Sequence, residues 1–254
     1  VFPGVQIKGG ICYFKWDRDH PGLCRVINYL NGSASEYERP LLESGLDSFV
    51  RYNEAISILR KVRQFNEPSM SSMVSARKPF GFPTNVKGRP QHFPGAVKLY
   101  QNGGIGWIAR EEIKENVEWI DLFKVFITRA YGAGEQFPHQ ILNTPILGEP
   151  GSACTETYLV IGPVESVEIA QNVITYIKTR FFRFMVLPKK PTQDATQKVY
   201  SLVPMQDFSK PWTDEELYQK YGLTSEEIAF IEKMVRPMET NESESTPNET
   251  DEEE

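Results

Sequence analysis

Thr155-Glu156-Thr157-Tyr158-Leu159-Val160-Ile161, followed closely by Ser166-Val167-Glu168-Ile169-Ala170-Gln171-Asn172-Val173-Ile174-Thr175-Tyr176-Ile177, sets two periodicities side by side. The first run is rich in aromatic and β-branched residues and reads as a strand. The second places Val167, Ala170, Ile174 and Ile177 at helical spacing, which predicts one helix from Ser166 to Leu187 with Pro188 stopping it. A strand feeding a long helix, with further strands before it and helices after it, predicts a mixed α+β fold.

Upstream, Lys124 to Thr128 reads as another strand. Val97 to Tyr100, a turn at Gln101-Asn102-Gly103-Gly104 and Ile105 to Ala109 read as a hairpin, because Asn-Gly tolerates the positive φ of tight turns. Four prolines between Arg77 and Pro94 exclude regular structure there. Asn53 to Phe65 puts Ala55, Ile56, Leu59 and Val62 on one face of an amphipathic helix. Nearest the start, Ile11 to Trp16, a turn over Asp17 to Gly22, and Cys24 to Ile27 read as a hairpin, with a polar link from Asn31 to Glu38. Downstream, Lys189 to Asp194 is a basic loop and Val199 to Val203 a short apolar stretch. Thr213-Asp214-Glu215-Glu216 and Thr224-Ser225-Glu226-Glu227 are capping-box patterns that open two terminal helices.

The chain has 254 residues, 40% of them hydrophobic, enough for one large or two small cores. No apolar run reaches the roughly 18 residues of a spanning helix, since Arg183 interrupts the stretch around Phe181 to Leu187. Three cysteines and three histidines without metal-type spacing suggest reduced thiols and a cytoplasmic setting with no structural zinc. The opening Val1-Phe2-Pro3-Gly4, lacking an initiator Met and any signal-peptide pattern, reads as an excised piece. The net charge of −6 argues against a nucleic-acid partner until its distribution is considered. Eight carboxylates lie in the tail from Glu239 onward, which leaves 26 acids against 28 bases in the body. That tail, nearly free of apolar residues, is expected to be disordered.

Catalytic signatures are missing: no dinucleotide or phosphate-binding glycine loop, no His-Glu-x-x-His and no Gly-x-Ser-x-Gly. Glu112-Ile113-Lys114 matches the end of a metal-dependent nuclease motif, against the plainer reading of a solvated charged turn. Loops are more informative. Arg77, Lys78, Lys87 and Arg89 supply the charge that phosphates require, and Gln91 has the donor and acceptor pair that reads adenine. The alternative is a surface loop whose Phe80, Phe82 and Phe93 plug into the core. Arg129 to Gln140, with Arg129, His139 and Gln140, is a second candidate, although His139 alone could merely satisfy a backbone carbonyl. Lys189, Lys190, Gln193, Thr196 and Lys198 form a third, which helix C-terminal capping could also explain.

Several longer blocks carry a resemblance: Phe2-Pro3-Gly4-Val5-Gln6-Ile7-Lys8-Gly9-Gly10-Ile11-Cys12-Tyr13-Phe14-Lys15-Trp16-Asp17-Arg18-Asp19, then Val50-Arg51-Tyr52-Asn53-Glu54-Ala55, Ser75-Ala76-Arg77-Lys78-Pro79-Phe80-Gly81, Phe137-Pro138-His139-Gln140-Ile141, Cys154-Thr155-Glu156-Thr157-Tyr158 and Trp212-Thr213-Asp214-Glu215. Together they resemble the carboxy-terminal part of adenine-N6 DNA methyltransferases of type II restriction-modification systems, whose target-recognition region is TaqI-like. The resemblance runs to about Met238. It implies methyl transfer from S-adenosylmethionine to an adenine flipped out of the duplex. The Asn/Asp-Pro-Pro-Tyr/Phe motif that would hold that adenine is absent, as is the glycine-containing cofactor motif. No catalytic or cofactor-binding residue is therefore carried over, and the chain alone is expected to be inactive and to bind no S-adenosylmethionine.

What the resemblance does imply is organisation. Residues 1–33 would end a methylase domain, with Lys8 to Trp16 closing its sheet. Residues 34–205 would be the target-recognition domain, 206–238 a C-terminal helical segment and 239–254 the acidic tail. The implied partners are double-stranded DNA and the missing N-terminal methylase domain, with no membrane. Arg77, Lys78, Lys87, Arg89, Arg129, Lys189 and Lys190 would hold phosphates; Gln91, His139, Gln140, Gln193 and Thr196 would face base edges. Rival readings are a restriction endonuclease, alone or fused to the methylase, and a protein-interaction module built on the tail and terminal helices.

Overall fold

The computed structural model describes residues 11–30, 32–132 and 137–238. Expectations for residues 1–10, for the middle of the 129–140 loop and for the acidic tail lie outside the described residues. The fold is α+β, with both helices and mixed sheets.

β1 (Cys24–Leu30) and β2 (Ser33–Arg39) form an antiparallel ribbon. It lies one strand later than the pattern predicts. Ile11 to Trp16 is in no strand and is exposed, and the stretch read as a polar link supplies the partner strand. The reason is that β2 is mostly exposed, so it carries Ser, Glu and Tyr where apolar alternation would be sought. Gly32, with φ of 80°, provides the positive φ of the turn. Polar contacts fix the ribbon to the body. Buried Asn53 donates to the carbonyls of Val26 (3.0 Å) and Ser35 (3.2 Å), and Asn28 donates to that of Arg51 (2.7 Å).

α1 (Ala55–Arg63) follows as expected, burying Ala55, Ile56, Ile58, Leu59 and Val62. β3 (Ala96–Gln101) and β4 (Gly104–Ala109) make the predicted hairpin. β5 (Phe123–Thr128), β6 (Ile146–Gly148), β7 (Ser152–Cys154) and β8 (Tyr158–Val164) complete two three-stranded sheets, ordered β4-β3-β7 and β6-β5-β8. β7 runs parallel to β3, whereas β5 pairs antiparallel with both its neighbours. The strand expected from Thr155 starts at Tyr158 instead. Thr155 to Thr157 is a turn that steps between sheets: Thr155 N–H bonds to Tyr100 O (2.9 Å) in one, and Thr157 O accepts from Arg129 N–H (2.9 Å) beside the other.

Side-chain alternation explains why β5 and β8 read as continuous apolar runs, as strands buried on both faces do. Val125, Ile127, Leu159 and Ile161 enter one core with the helices, while Phe126, Tyr158 and Val160 enter a second with Leu99, Ile108 and Ala153. Lys124 is buried among them. Its ammonium donates to Ser152 O and Oγ (both 3.2 Å), and burial pushes its pKa down to about 8. Gly148 opposite leaves room for it, since a Cβ there would stand 2.6 Å from Lys124 Cγ.

The single helix predicted from Ser166 to Leu187 is two. α2 (Val167–Lys178) ends at Thr179, whose extended ψ of 148° breaks the ladder, and α3 (Arg180–Val186) begins at once. Apolar spacing alone hides the break, because Thr179 is at once the C-cap of one helix and the N-cap of the next. Its hydroxyl accepts from Phe182 N–H (3.1 Å), and Asp214 accepts from Arg180 N–H (3.0 Å) and Phe181 N–H (2.8 Å). Asp214 opens α4 (Asp214–Lys220), which precedes α5 (Ser225–Met234); both begin with the expected capping boxes. Leu217, Ile231 and Met234 join the same core as α1 and α2, so residues 206–238 have no separate core.

Arg183 lies fully buried where these pieces meet. It donates to the carbonyls of Lys178 (3.0 Å) and Thr179 (3.2 Å) at the break, and to those of Gln140 (3.1 Å) and Arg236 (2.9 Å). Arg183→Met orphans these acceptors and is expected to cost roughly 3–5 kcal/mol, read as a lower denaturant midpoint at unchanged slope. Arg183→Lys, with one point charge, should not restore it. A midpoint equal to wild type in the Met variant would exclude this role.

Lys124 makes a separate prediction. Between pH of about 8 and its unfolded value of 10.5 the folded state holds this amine neutral while the unfolded chain keeps it charged. The unfolded state thus binds more protons, and this residue's contribution raises stability by about 3 kcal/mol across that window. Comparing unfolding free energy against pH for wild type and Lys124→Met should show that rise only in wild type.

Candidate nucleic-acid interface

The basic loop from Arg77 to Pro94 has no helix or strand of its own, yet it is held at both depth and edge. At its root Phe80 is buried in the second core and Phe82 packs against it, as the plain reading expects of these two, whereas half-buried Phe93 packs against the Arg89 guanidinium. Further along, the loop lies along β4 as a short extra pairing. Arg89 N–H bonds to Trp107 O (2.7 Å) and Trp107 N–H to Arg89 O (2.9 Å), while Gln101 Oε1 accepts from Gly88 N–H (2.7 Å). Glycine is required here by proximity: a Cβ on Gly88 would stand 2.6 Å from Trp107 N and 2.9 Å from Gly106 C.

This clamp presents a basic and aromatic surface. Lys87, Arg89 and Gln91 are exposed; the Arg89 guanidinium lies 4.4 Å from the Phe93 ring centroid, and Lys87 donates to Asn102 O at the β3–β4 turn. His92 meets Trp107 edge to face at 4.6 Å. Lys98 is the cross-strand partner of Trp107, which puts both on one face of the hairpin. Lys98 and Trp107 were not among the residues singled out from sequence. The register fixed by the Gln101–Gly104 turn would have paired them.

Arg77 and Lys78 differ in kind from these. Glu156, buried on the sheet-crossing turn, accepts from Arg77 Nε (2.6 Å) and has Lys78 Nζ at 3.9 Å. Both cations balance a carboxylate, so their first role is to pin the loop to the turn. Next to Glu156, Thr157 accepts from Arg129 N–H (2.9 Å), and the Arg129 side chain pairs with Asp194 (2.5 Å). Gln193 O accepts from Tyr131 N–H (3.0 Å), leaving the Gln193 side chain exposed. The turn therefore gathers Arg77, Lys78, Arg129 and the Gln193 loop into one neighbourhood.

Of the remaining predicted residues, Lys190, Thr196, His139 and Gln140 have polar groups built into the frame. Lys190 is buried and donates to Tyr131 O (2.7 Å) and Thr192 O (3.1 Å), and Lys189 pairs with Asp47. Neither ammonium bond is the helix C-terminal capping that spacing suggested. Thr196 caps the 3-10 turn Gln197–Leu202 through its carbonyl, which accepts from Val199 N–H (2.9 Å). His139 pairs through its backbone with Met234 O (2.8 Å) and Arg236 N–H (3.0 Å), and Gln140 uses its side chain on Leu142 O (3.1 Å) and Arg236 Nη2 (3.0 Å). Reading a base edge with Gln140 would mean giving up these bonds.

No family model, curated protein or solved structure matches this chain. Among the described residues no group of three or more His, Cys, Asp or Glu is placed to hold a metal ion, and no helix is long and apolar enough to cross a membrane. In the nuclease-like triplet, Glu112 accepts from Ala109 N–H (3.1 Å), Ile113 is buried, and Lys114 donates to Glu111 O, all within one local turn.

Gly88→Ala tests the clamp. Displacing the loop from Trp107 backbone should destabilise by roughly 1–3 kcal/mol and speed amide exchange at Arg89 and Trp107, with a shift in tryptophan emission as His92 leaves the indole. Wild-type exchange at both amides would show that the loop does not depend on this contact.

Proposed function

We propose that this chain is the sequence-reading part of a site-specific adenine-N6 DNA methyltransferase from a restriction-modification system, and that double-stranded DNA lies against the clamped basic loop. The observation that supports the reading is the surface formed by Lys87, Arg89, Gln91 and Lys98 beside Trp107: cations and an adenine-type reader on an anchored loop. Such a surface supplies phosphate contacts that set position and a side chain that reads a base edge. Anchoring matters because a loop ordered before binding loses less conformational entropy on contact. The body's slight basic surplus, 28 bases against 26 acids once the eight tail carboxylates are set apart, agrees with an anionic partner.

Methyl transfer belongs, in this reading, to a methylase domain supplied by the parent protein with S-adenosylmethionine as its cofactor. The β8–α2 connection, Glu165-Ser166, offers that cofactor no glycine-rich turn, and the sheet it leaves is antiparallel. Its part here is recognition only.

The test is duplex binding by fluorescence polarisation across a salt series. Lys87→Ala combined with Arg89→Ala should weaken binding at least about tenfold at moderate salt and lower the salt slope by roughly two phosphate contacts' worth. Gln91→Ala should act differently, narrowing the gap between preferred and unrelated sequences with little change in slope. Unaltered affinity and slope in the double variant would remove the loop from the interface.

A further inference from the structure

A second surface has the makings of a small-ligand site and uses none of the clamped loop. Pro188 and Lys189 at the end of α3, the segment Asp47 to Arg51, and the 3-10 turn Gln197–Leu202 line an open cleft of about 720 Å³. That is within the range of roughly 300–1,000 Å³ typical of small-molecule sites. Three cations reach it, Arg51, Lys189 and Lys198, against the single carboxylate of Asp47. Ser71 and Ser201 add hydroxyl donors, and the Gln197 amide, bonded to Ser71 O (3.1 Å), ties the two walls together.

Asp47 shows how an anion is received. Its side chain is 87% exposed while the Lys189 side chain it contacts is only 14% exposed. The hydrogen bond from Lys189 holds the carboxyl below its ordinary range. A nearly buried ammonium is thus neutralised by a carboxylate that can swing into solvent, which is a replaceable arrangement. Phe49 also lines the cleft, 37% exposed, with the Arg39 guanidinium 4.7 Å from its ring centroid. Arg39 is itself fixed by Asn53 Oδ1 (2.9 Å) and Val50 O (2.6 Å). The phenyl ring is therefore a backed platform rather than a loose side chain.

We propose that this cleft binds a nucleotide, with its phosphate displacing Asp47 to lie among Lys189, Lys198 and Arg51 and its base against Phe49. Fixed aromatic faces stack bases without regard to sequence, and grouped cations with hydroxyls receive phosphate oxygens. The nucleotide is either free or one unstacked unit of a nucleic-acid strand. The assignment goes beyond the duplex reading of the basic loop and does not need it.

The full chain is titrated with dAMP, deoxyadenosine and inorganic phosphate by calorimetry, and with a labelled single-stranded octanucleotide by polarisation. The expected result is dAMP binding that Lys198→Glu and Phe49→Ala each weaken about tenfold, with deoxyadenosine and phosphate both weaker than dAMP. Strand binding that dAMP competes away makes the source a nucleic-acid strand; dAMP binding with no strand binding makes it a free nucleotide, and either supports the site. Binding of dAMP unaffected by both substitutions overturns the proposal, as does phosphate binding as tightly as dAMP with Phe49→Ala silent. Lys198 is exposed, so its variant remains informative if Phe49→Ala unfolds. The double variant at Lys87 and Arg89 should bind dAMP as wild type does, which separates failure here from failure of the loop interface.

Discussion

The buried guanidinium of Arg183 organises the helical half of this fold. A helix broken at Thr179 leaves carbonyls without amides, and a buried orphan acceptor is costly. Arg183 answers the break with a side chain long enough to reach Lys178 and Thr179 and broad enough to reach Gln140 and Arg236 as well. One residue therefore holds the break, the 137–142 segment and the chain after α5 in register. From the opposite side Asp214 caps the second helix, so α4 is placed by the same discontinuity.

That helical layer supports β5 and β8, whose far faces support the β4-β3-β7 sheet and, with it, the basic loop. The hierarchy is physical: two cores share two strands, and a loop without secondary structure is placed by a sheet two layers away from the helices. Charge is handled in the same spirit. Cations inside the frame, such as Lys124 and Lys190, are satisfied by carbonyls, whereas Lys87 and Arg89 are exposed and Lys98 is half-buried.

Elements governed by local pattern were legible in the sequence. α1 was marked by its apolar face, the β3–β4 hairpin by Asn102-Gly103, and the terminal helices by their capping boxes. What escaped was decided by tertiary partners. The ribbon strand β2 has too little buried surface to alternate, and the break at Thr179 is stabilised by Asp214 and Arg183, residues outside the local window. The same division runs through the candidate site. Residue type singled out Lys87, Arg89 and Gln91, which are exposed, but it could not tell them from Lys190 or Gln140, whose polar atoms are used internally. Glu156, which engages Arg77 and Lys78, gave no sign, because inside a run read as a strand a lone Glu looks like any exposed acid.

The Thr155–Thr157 turn has one more consequence. Because Glu156 pairs with Arg77 and Lys78 while Thr157 O holds Arg129 N–H, and Arg129 O in turn holds Ala195 N–H, the basic loop and the 193–195 segment are made fast to one short piece of backbone, as two ropes to one cleat. Substitutions at exposed positions away from that turn, such as Lys87 and Gln193, leave both attachments untouched. Side chains there can therefore vary without loosening either segment from the sheets.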